Sequence, residues 1–158
     1  MTHTVRDGVR TRVFSGELLA ISSSQDTRKD RWIEFRLYRT VTNQYVVSRI
    51  GYSRIFHSAD CGLVRRNHLS PVDGLELTPD YIACYECRPS RGDIEGVFPE
   101  TPRYAAWVCT DPLGVVSSLM KEDRNGVEYL TNVARRLLEK ASEADSEIED
   151  AYLVDRIE

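Results

Sequence analysis

The sequence predicts an α+β protein: an antiparallel meander sheet, an inserted zinc-binding loop region, and C-terminal helices packed on the sheet. Three observations carry this prediction. Residues 11–57 alternate in polarity and are rich in β-branched and aromatic side chains. Residues 58–103 lose that periodicity and gather cysteine, proline and glycine, and the last third places apolar residues at helical spacing.

The first strand is TRVFSGELLAIS (11–22), with Gly16 as a candidate bulge. Polar SSSQDTRKD (22–30) makes a hairpin loop or an exposed excursion. RWIEFRLYR (31–39) then alternates, with Ile33, Phe35 and Leu37 on one face and Trp32, Glu34, Arg36 and Tyr38 on the other. TVTNQ turns the chain, and YVVSRIGYSRIF (45–56) delivers it to His57. After the loop region, YAAWVCT (104–110) is apolar enough for one more buried strand.

Asp111-Pro112 suits an N-cap followed by proline at the first helical position, opening a helix to about Lys121. EDRNG breaks it at Asn125-Gly126. From Val127 onward, Leu130, Ala134, Leu137, Ala141, Ala144, Ile148 and Ala151 step by four and three in alternation, a heptad spacing. Such a stripe either packs a helix on its own domain or forms an interface with a second helix, as in a homodimer. The domain division expected is 1–110 for the sheet with its zinc-binding segment 56–90, and 111–158 for the helical region, within one compact domain.

At 158 residues and 41 % hydrophobic composition the chain can bury an ordinary core. No window holds the 18 or more consecutive apolar residues of a membrane helix, and the polar N-terminus lacks a signal-peptide core. The expectation is an intracellular, cytoplasmic protein whose thiols stay reduced. The net charge of −4 hides an asymmetry: residues 1–67 carry 12 Lys+Arg against 6 Asp+Glu, whereas residues 92–158 carry 7 against 15. A basic front and an acidic back suit separate partner surfaces, or mutual attraction within one fold.

The stretch 56–90 holds three of the four cysteines. Cys84-Tyr-Glu-Cys87 has the spacing at which two thiolates bend onto one ion, and His57-Ser-Ala-Asp-Cys61 offers two further donors. His68 is the alternative fourth ligand, and Cys109, in an apolar run, reads as a core residue. A complete Cys3His set describes a closed structural Zn2+ site rather than one with an open position for water. The nucleobase deaminases share the H-x-E…C-x-x-C outline, but Ala59 stands where their glutamate would act and Ala83 where their proline would precede the pair. No H-E-x-x-H, G-x-S-x-G or phosphate-cradling glycine loop is present, so no catalytic residue is assigned and a zinc-dependent hydrolase is the least favoured alternative.

The pattern I-F-His57-S-A-D-Cys61 followed by Cys84-Y-E-Cys87-R-P resembles the Cys3His knuckles of small treble-clef and zinc-ribbon binding modules over some 35 residues. That resemblance implies binding of protein or nucleic acid. A protein-interaction or regulatory module is expected first, supported by the acidic helical third. The alternative is a nucleic-acid-binding protein, with Arg36, Arg49, Arg54, Arg65, Arg66, Arg88, Trp32 and Tyr38 as candidate contacts. No membrane partner is expected.

Overall fold

A computed structural model of the chain describes residues 1–66, 80–87 and 97–154, the side chains of Arg65 and Arg66 excepted. Two compact units are assembled from interleaved segments. Unit 1 comprises Met1–Ser24, Ile33–Ile50 and Arg103–Glu158; unit 2 comprises Gln25–Trp32 and Gly51–Pro102.

Unit 1 is built on a curled antiparallel sheet. Its strands are β1 (Thr2–Asp7), β2 (Arg10–Ser23), β3 (Arg31–Thr40), β4 (Tyr45–Ser53) and, after three short strands of unit 2 described below, β8 (Arg103–Cys109), in the order β1-β2-β3-β4-β8. The expected α+β architecture, sheet first and helices last, is the one observed. β1 is an addition to the expected set. Its pairing with β2 ends at Asp7↔Arg10, leaving Gly8-Val9 as a two-residue turn with Gly8 at φ 60°. Asp-Gly followed by an alternating segment is a hairpin signal, obscured here by the polar residues around it.

The bulge in β2 lies at Leu19, where the register with β3 slips between Leu18 and Ala20, and not at Gly16. Gly16 is required for a different reason. It sits opposite Thr40, and a Cβ there would collide with the Arg39 carbonyl oxygen and come within 2.8 Å of Thr40 Cα. The 40–44 turn closes with Asn43 in the left-handed region at φ 61°, which asparagine tolerates better than most residues.

One face of this sheet buries Phe35, Leu37, Tyr45 and Val47 against the helices. The opposite face, where the alternation of β3 places Trp32, Glu34, Arg36 and Tyr38, is covered in part: Tyr38 is buried with Val5, Val46 and Ala106, and Phe14 packs alongside. The reason is curvature. The Gly8 N–H donates to the Tyr104 carbonyl at 2.8 Å, so the two edge strands approach each other and enclose the concave side.

Helix α2 (Pro112–Leu119) starts as the sequence predicts: the Asp111 carboxylate accepts from the Gly114 N–H at 2.7 Å, and Pro112 opens the helix. The segment expected to be helical from Val127 instead begins in a small hairpin of β9 (Lys121–Glu122) and β10 (Glu128–Tyr129), turned at Gly126 with φ 78°. Helix α3 (Asn132–Ala144) starts only after Thr131 caps it. The heptad run then breaks at Asp145, which leaves α3 in an extended conformation and caps α4 (Ser146–Tyr152) by accepting from the Glu147 and Ile148 N–H groups. Ala134, Leu137, Ala141 and Ile148 from the stripe are buried in the unit's own core, Leu130 packs at its margin, and Ala144 is exposed. The apolar surface of Ala134, Leu137, Ala141 and Ile148 is thus covered within unit 1 by its sheet and helices.

Buried Asp145 also accepts from the Tyr45 hydroxyl at 2.9 Å and pairs with Arg39 at 3.3 Å. Burial, reinforced by the Asp145 carboxylate, pushes the Tyr45 phenol well above its ordinary value. Unit 2 contains a three-stranded sheet in the order β6 (Ile82–Ala83), β5 (Ile55–His57), β7 (Phe98–Pro99), together with the short helix α1 (Gly62–Arg66).

Candidate metal centre

The centre forms where the three short strands of unit 2 end. Strand β5 runs parallel to β6 and antiparallel to β7, with Phe56 facing both Ala83 and Pro99. Isoleucine and phenylalanine at 55 and 56 hold β5 in a buried position, so His57, the next residue, is fully buried too. The chain then turns tightly. The Cys61 N–H donates to the Ser58 carbonyl at 3.1 Å and the Val64 N–H to the Cys61 carbonyl at 3.0 Å, which folds Cys61 back over His57 and starts α1.

On the other side, the Cys84 N–H donates to the Phe56 carbonyl at 2.9 Å, extending the β5–β6 ladder by one residue and bringing Cys84 beside His57. A turn over residues 85–87 then returns Cys87 to the same point. There Cys87 Sγ accepts from the Ser58 N–H at 3.4 Å. The four donor atoms of His57, Cys61, Cys84 and Cys87 all lie within 4.8 Å of one another. The set predicted from spacing alone is brought together, and a small apolar group of Ile55 and Val64, with Leu63 and Phe98 alongside, packs around its sulfurs.

All four cysteines are free thiols, so Cys84 and Cys87 form no disulfide. Burial raises the Cys61 thiol above its ordinary value. Cys87 goes the other way: burial opposes its ionisation, but the Ser58 amide and hydroxyl, with the neighbouring thiols, hold it below the ordinary range. Cys109 stands apart in the core of unit 1, as its apolar context predicts.

One residue of the centre was not legible from the sequence. Glu100, just after β7, places Oε1 2.9 Å from His57 Nε2. Its backbone N–H donates to the Ile55 carbonyl at 3.0 Å. Arg31 holds the same carboxylate in a fork, Nε to Oε2 at 3.0 Å and Nη2 to Oε1 at 2.5 Å. Burial opposes the Glu100 charge, but Arg31, Ser53 and His57 together keep its carboxyl below the usual range. No motif signals this residue, which lies 43 positions from its histidine.

Of the described candidate partner contacts, Arg36, Tyr38 and Arg49 belong to unit 1 and Trp32 and Arg54 to unit 2. Tyr38 is buried, so its ring serves the sheet core rather than a ligand. Arg36 is paired with Glu34 at 3.6 Å, and Arg49 is half-buried. Arg54 donates to the carbonyls of Asp26 and Lys29 and lies 5.6 Å from the Trp32 ring, which stacks on Tyr52 at 5.6 Å between centroids. Arg65 and Arg66 end α1, and their side chains, with His68 and Arg88, fall outside the described residues. Among the described residues no helix is long and apolar enough to cross a membrane. Compared with known protein families, curated proteins and solved structures, the chain matches none.

Proposed function

We propose that this chain is a zinc-stabilised, non-catalytic binding module, with a protein partner. The observation that carries the proposal is the convergence of His57, Cys61, Cys84 and Cys87 within 4.8 Å at a buried position. Three thiolates and an imidazole are the donors that zinc prefers. Tetrahedral zinc, with Zn–S near 2.3 Å and Zn–N near 2.0–2.1 Å, needs donor separations of about 3.6–3.8 Å. The His57 Nδ1 to Cys61 Sγ distance is already 3.5 Å. Four protein donors complete the coordination sphere and leave no position for an activated water, so the ion would act as a cross-link between β5, α1 and the 84–87 turn.

Elemental analysis of the purified protein tests this directly. One zinc per chain is expected, lost in Cys84→Ser and in Cys87→Ser. Full zinc retention by either variant refutes the ligand assignment.

A protein partner is supported by the state of the arginines. Of the candidate arginines, Arg36 is paired with Glu34, and Arg12, Arg28, Arg31 and Arg39 elsewhere on the chain are likewise paired with carboxylates, so a phosphate at any of these five would compete with a built-in acid. The acidic surplus of residues 92–158 adds to that opposition. One observation favours the nucleic-acid alternative: the Arg54–Trp32–Tyr52 stack in unit 2 is the kind of surface on which unpaired bases stack. Fluorescence anisotropy with labelled single- and double-stranded oligonucleotides separates the two. Binding at about 50 mM salt that collapses by about 200 mM selects nucleic acid. Absence of binding at the lower salt leaves the protein partner, sought by mass analysis of complexes that co-purify with the zinc-loaded chain.

A further inference from the structure

We infer that Glu100 is the positioning residue of the metal centre, selecting Nδ1 of His57 as the ligand atom, and that Arg31 holds Glu100 in place for that task. The inference rests on the zinc reading above and adds what fixes the fourth ligand.

An imidazole offers a metal whichever nitrogen lacks the proton, and the hydrogen bond at the other nitrogen decides which that is. His57 is fully buried, so water cannot serve that second nitrogen. A carboxylate serves it instead. Glu100 Oε1 can only accept, so at 2.9 Å it keeps the proton on Nε2 and leaves the Nδ1 lone pair facing the sulfurs. Nδ1 lies 3.5 Å from Cys61 Sγ, on the side of the ring where the ion would be held.

The position of Glu100 is set by the backbone rather than by side-chain chance. Phe56↔Pro99 is the register of β5 with β7, and the Glu100 amide continues it onto the Ile55 carbonyl. From there the side chain reaches diagonally to His57. Charge explains Arg31. A divalent ion with three thiolates and a neutral imidazole carries one net negative charge, and an adjacent carboxylate would add a second. The Arg31 guanidinium, bidentate on Glu100, cancels that second charge, while 60 % of its own side chain stays exposed to solvent. A carboxylate can therefore stand behind the histidine without repelling the thiolates.

The test uses the full chain labelled with 15N-histidine and loaded with 113Cd in place of zinc. In the wild type, coupling between cadmium and nitrogen is expected at Nδ1 of His57, with Nε2 still protonated. Glu100→Ala is expected to weaken metal binding by about 10–100-fold. Glu100→Gln keeps an oxygen acceptor for the Nε2 proton and is expected to recover most of that loss. Arg31→Gln, at an exposed position that folding should tolerate, is expected to weaken binding to a smaller extent. Coupling at Nε2 overturns the inference, as does Glu100→Ala binding metal within about twofold of the wild type. Equal losses in Glu100→Ala and Glu100→Gln, with the Nδ1 coupling unchanged in both, would reduce Glu100 to a packing role and also overturn it. If the wild type takes up no metal, the zinc reading itself fails; if it does and Glu100→Ala matches it, only this inference fails.

Discussion

Removing zinc with a strong chelator is expected to unfold the core of unit 2 while the core of unit 1 stays intact. The magnitude follows from what else holds the β5 region. Among the described residues of unit 2, the buried apolar side chains apart from cysteine are Ile55, Phe56, Val64 and Val97. At roughly 1.5–3 kcal/mol each, they contribute about 6–12 kcal/mol. Zinc bound to a finger-like ligand set contributes about 10–16 kcal/mol at neutral pH, at least as much as those four together at mid-range. Chelation therefore removes about half or more of this stabilising free energy around β5, and the ladder should open. Hydrogen exchange read by mass spectrometry is the assay. The Ile82, Cys84 and Glu100 amides, now bonded to the Arg54, Phe56 and Ile55 carbonyls, should lose protection by three orders of magnitude or more. The amides of Arg135 in α3 and of Asp145 at its C-terminal cap, on a helix that packs on the apolar core of unit 1, should keep theirs. Unchanged protection of the unit 2 amides in demonstrably zinc-free protein would refute the reasoning, because the small apolar group would then suffice alone.

Two further predictions concern the polar network of unit 1. Asp145→Ala removes a helix cap worth about 1 kcal/mol and takes from the buried Tyr45 hydroxyl its closer acceptor, worth about 1–3 kcal/mol. A loss of about 2–4 kcal/mol is expected as a lower urea midpoint for unit 1, and a loss under about 0.5 kcal/mol would contradict the network's role. Alkaline stability is set in part by Tyr45, whose phenol is raised by burial first and by Asp145 next. The unfolded chain releases that proton from about pH 10 while the folded chain keeps it, so this contribution is complete below pH 10 and falls as pH rises above it. Subtracting the pH profile of Tyr45→Phe from that of the wild type should isolate the fall; parallel profiles above pH 10 would exclude it.

The readable features were those written into neighbouring residues. Strand β3 announces itself by strict alternation, α2 by Asp111-Pro112, and the metal ligands by two short spacings, because each signal depends on contacts only a few residues apart. Features that join distant segments were not readable. Nothing in the acidic run from Glu143 to Asp150 distinguishes Asp145 from its neighbours, yet Asp145 turns inward to Arg39 and Tyr45 and ends the helix there. Val127 fits the heptad spacing, but it lies in the small hairpin, since Thr131 supplies the cap that starts α3. Tyr38 alternates correctly to the second face of β3, and only the approach of β1 to β8 turns that face into a second core.

The division between sequence and tertiary structure is sharpest at the metal centre. Residue identity and local spacing determined the donors, since thiolate and imidazole chemistry and the reach of a short turn are properties of a few adjacent residues. Tertiary structure decided how those donors are used. The β5–β7 register brought Glu100 from 43 residues away to the far side of the His57 ring, and the start of β3 brought Arg31 to Glu100. Both pairings depend on which strands lie side by side, and the free energy that selects strand neighbours comes from burying whole faces, not from the few residues that later meet at the site.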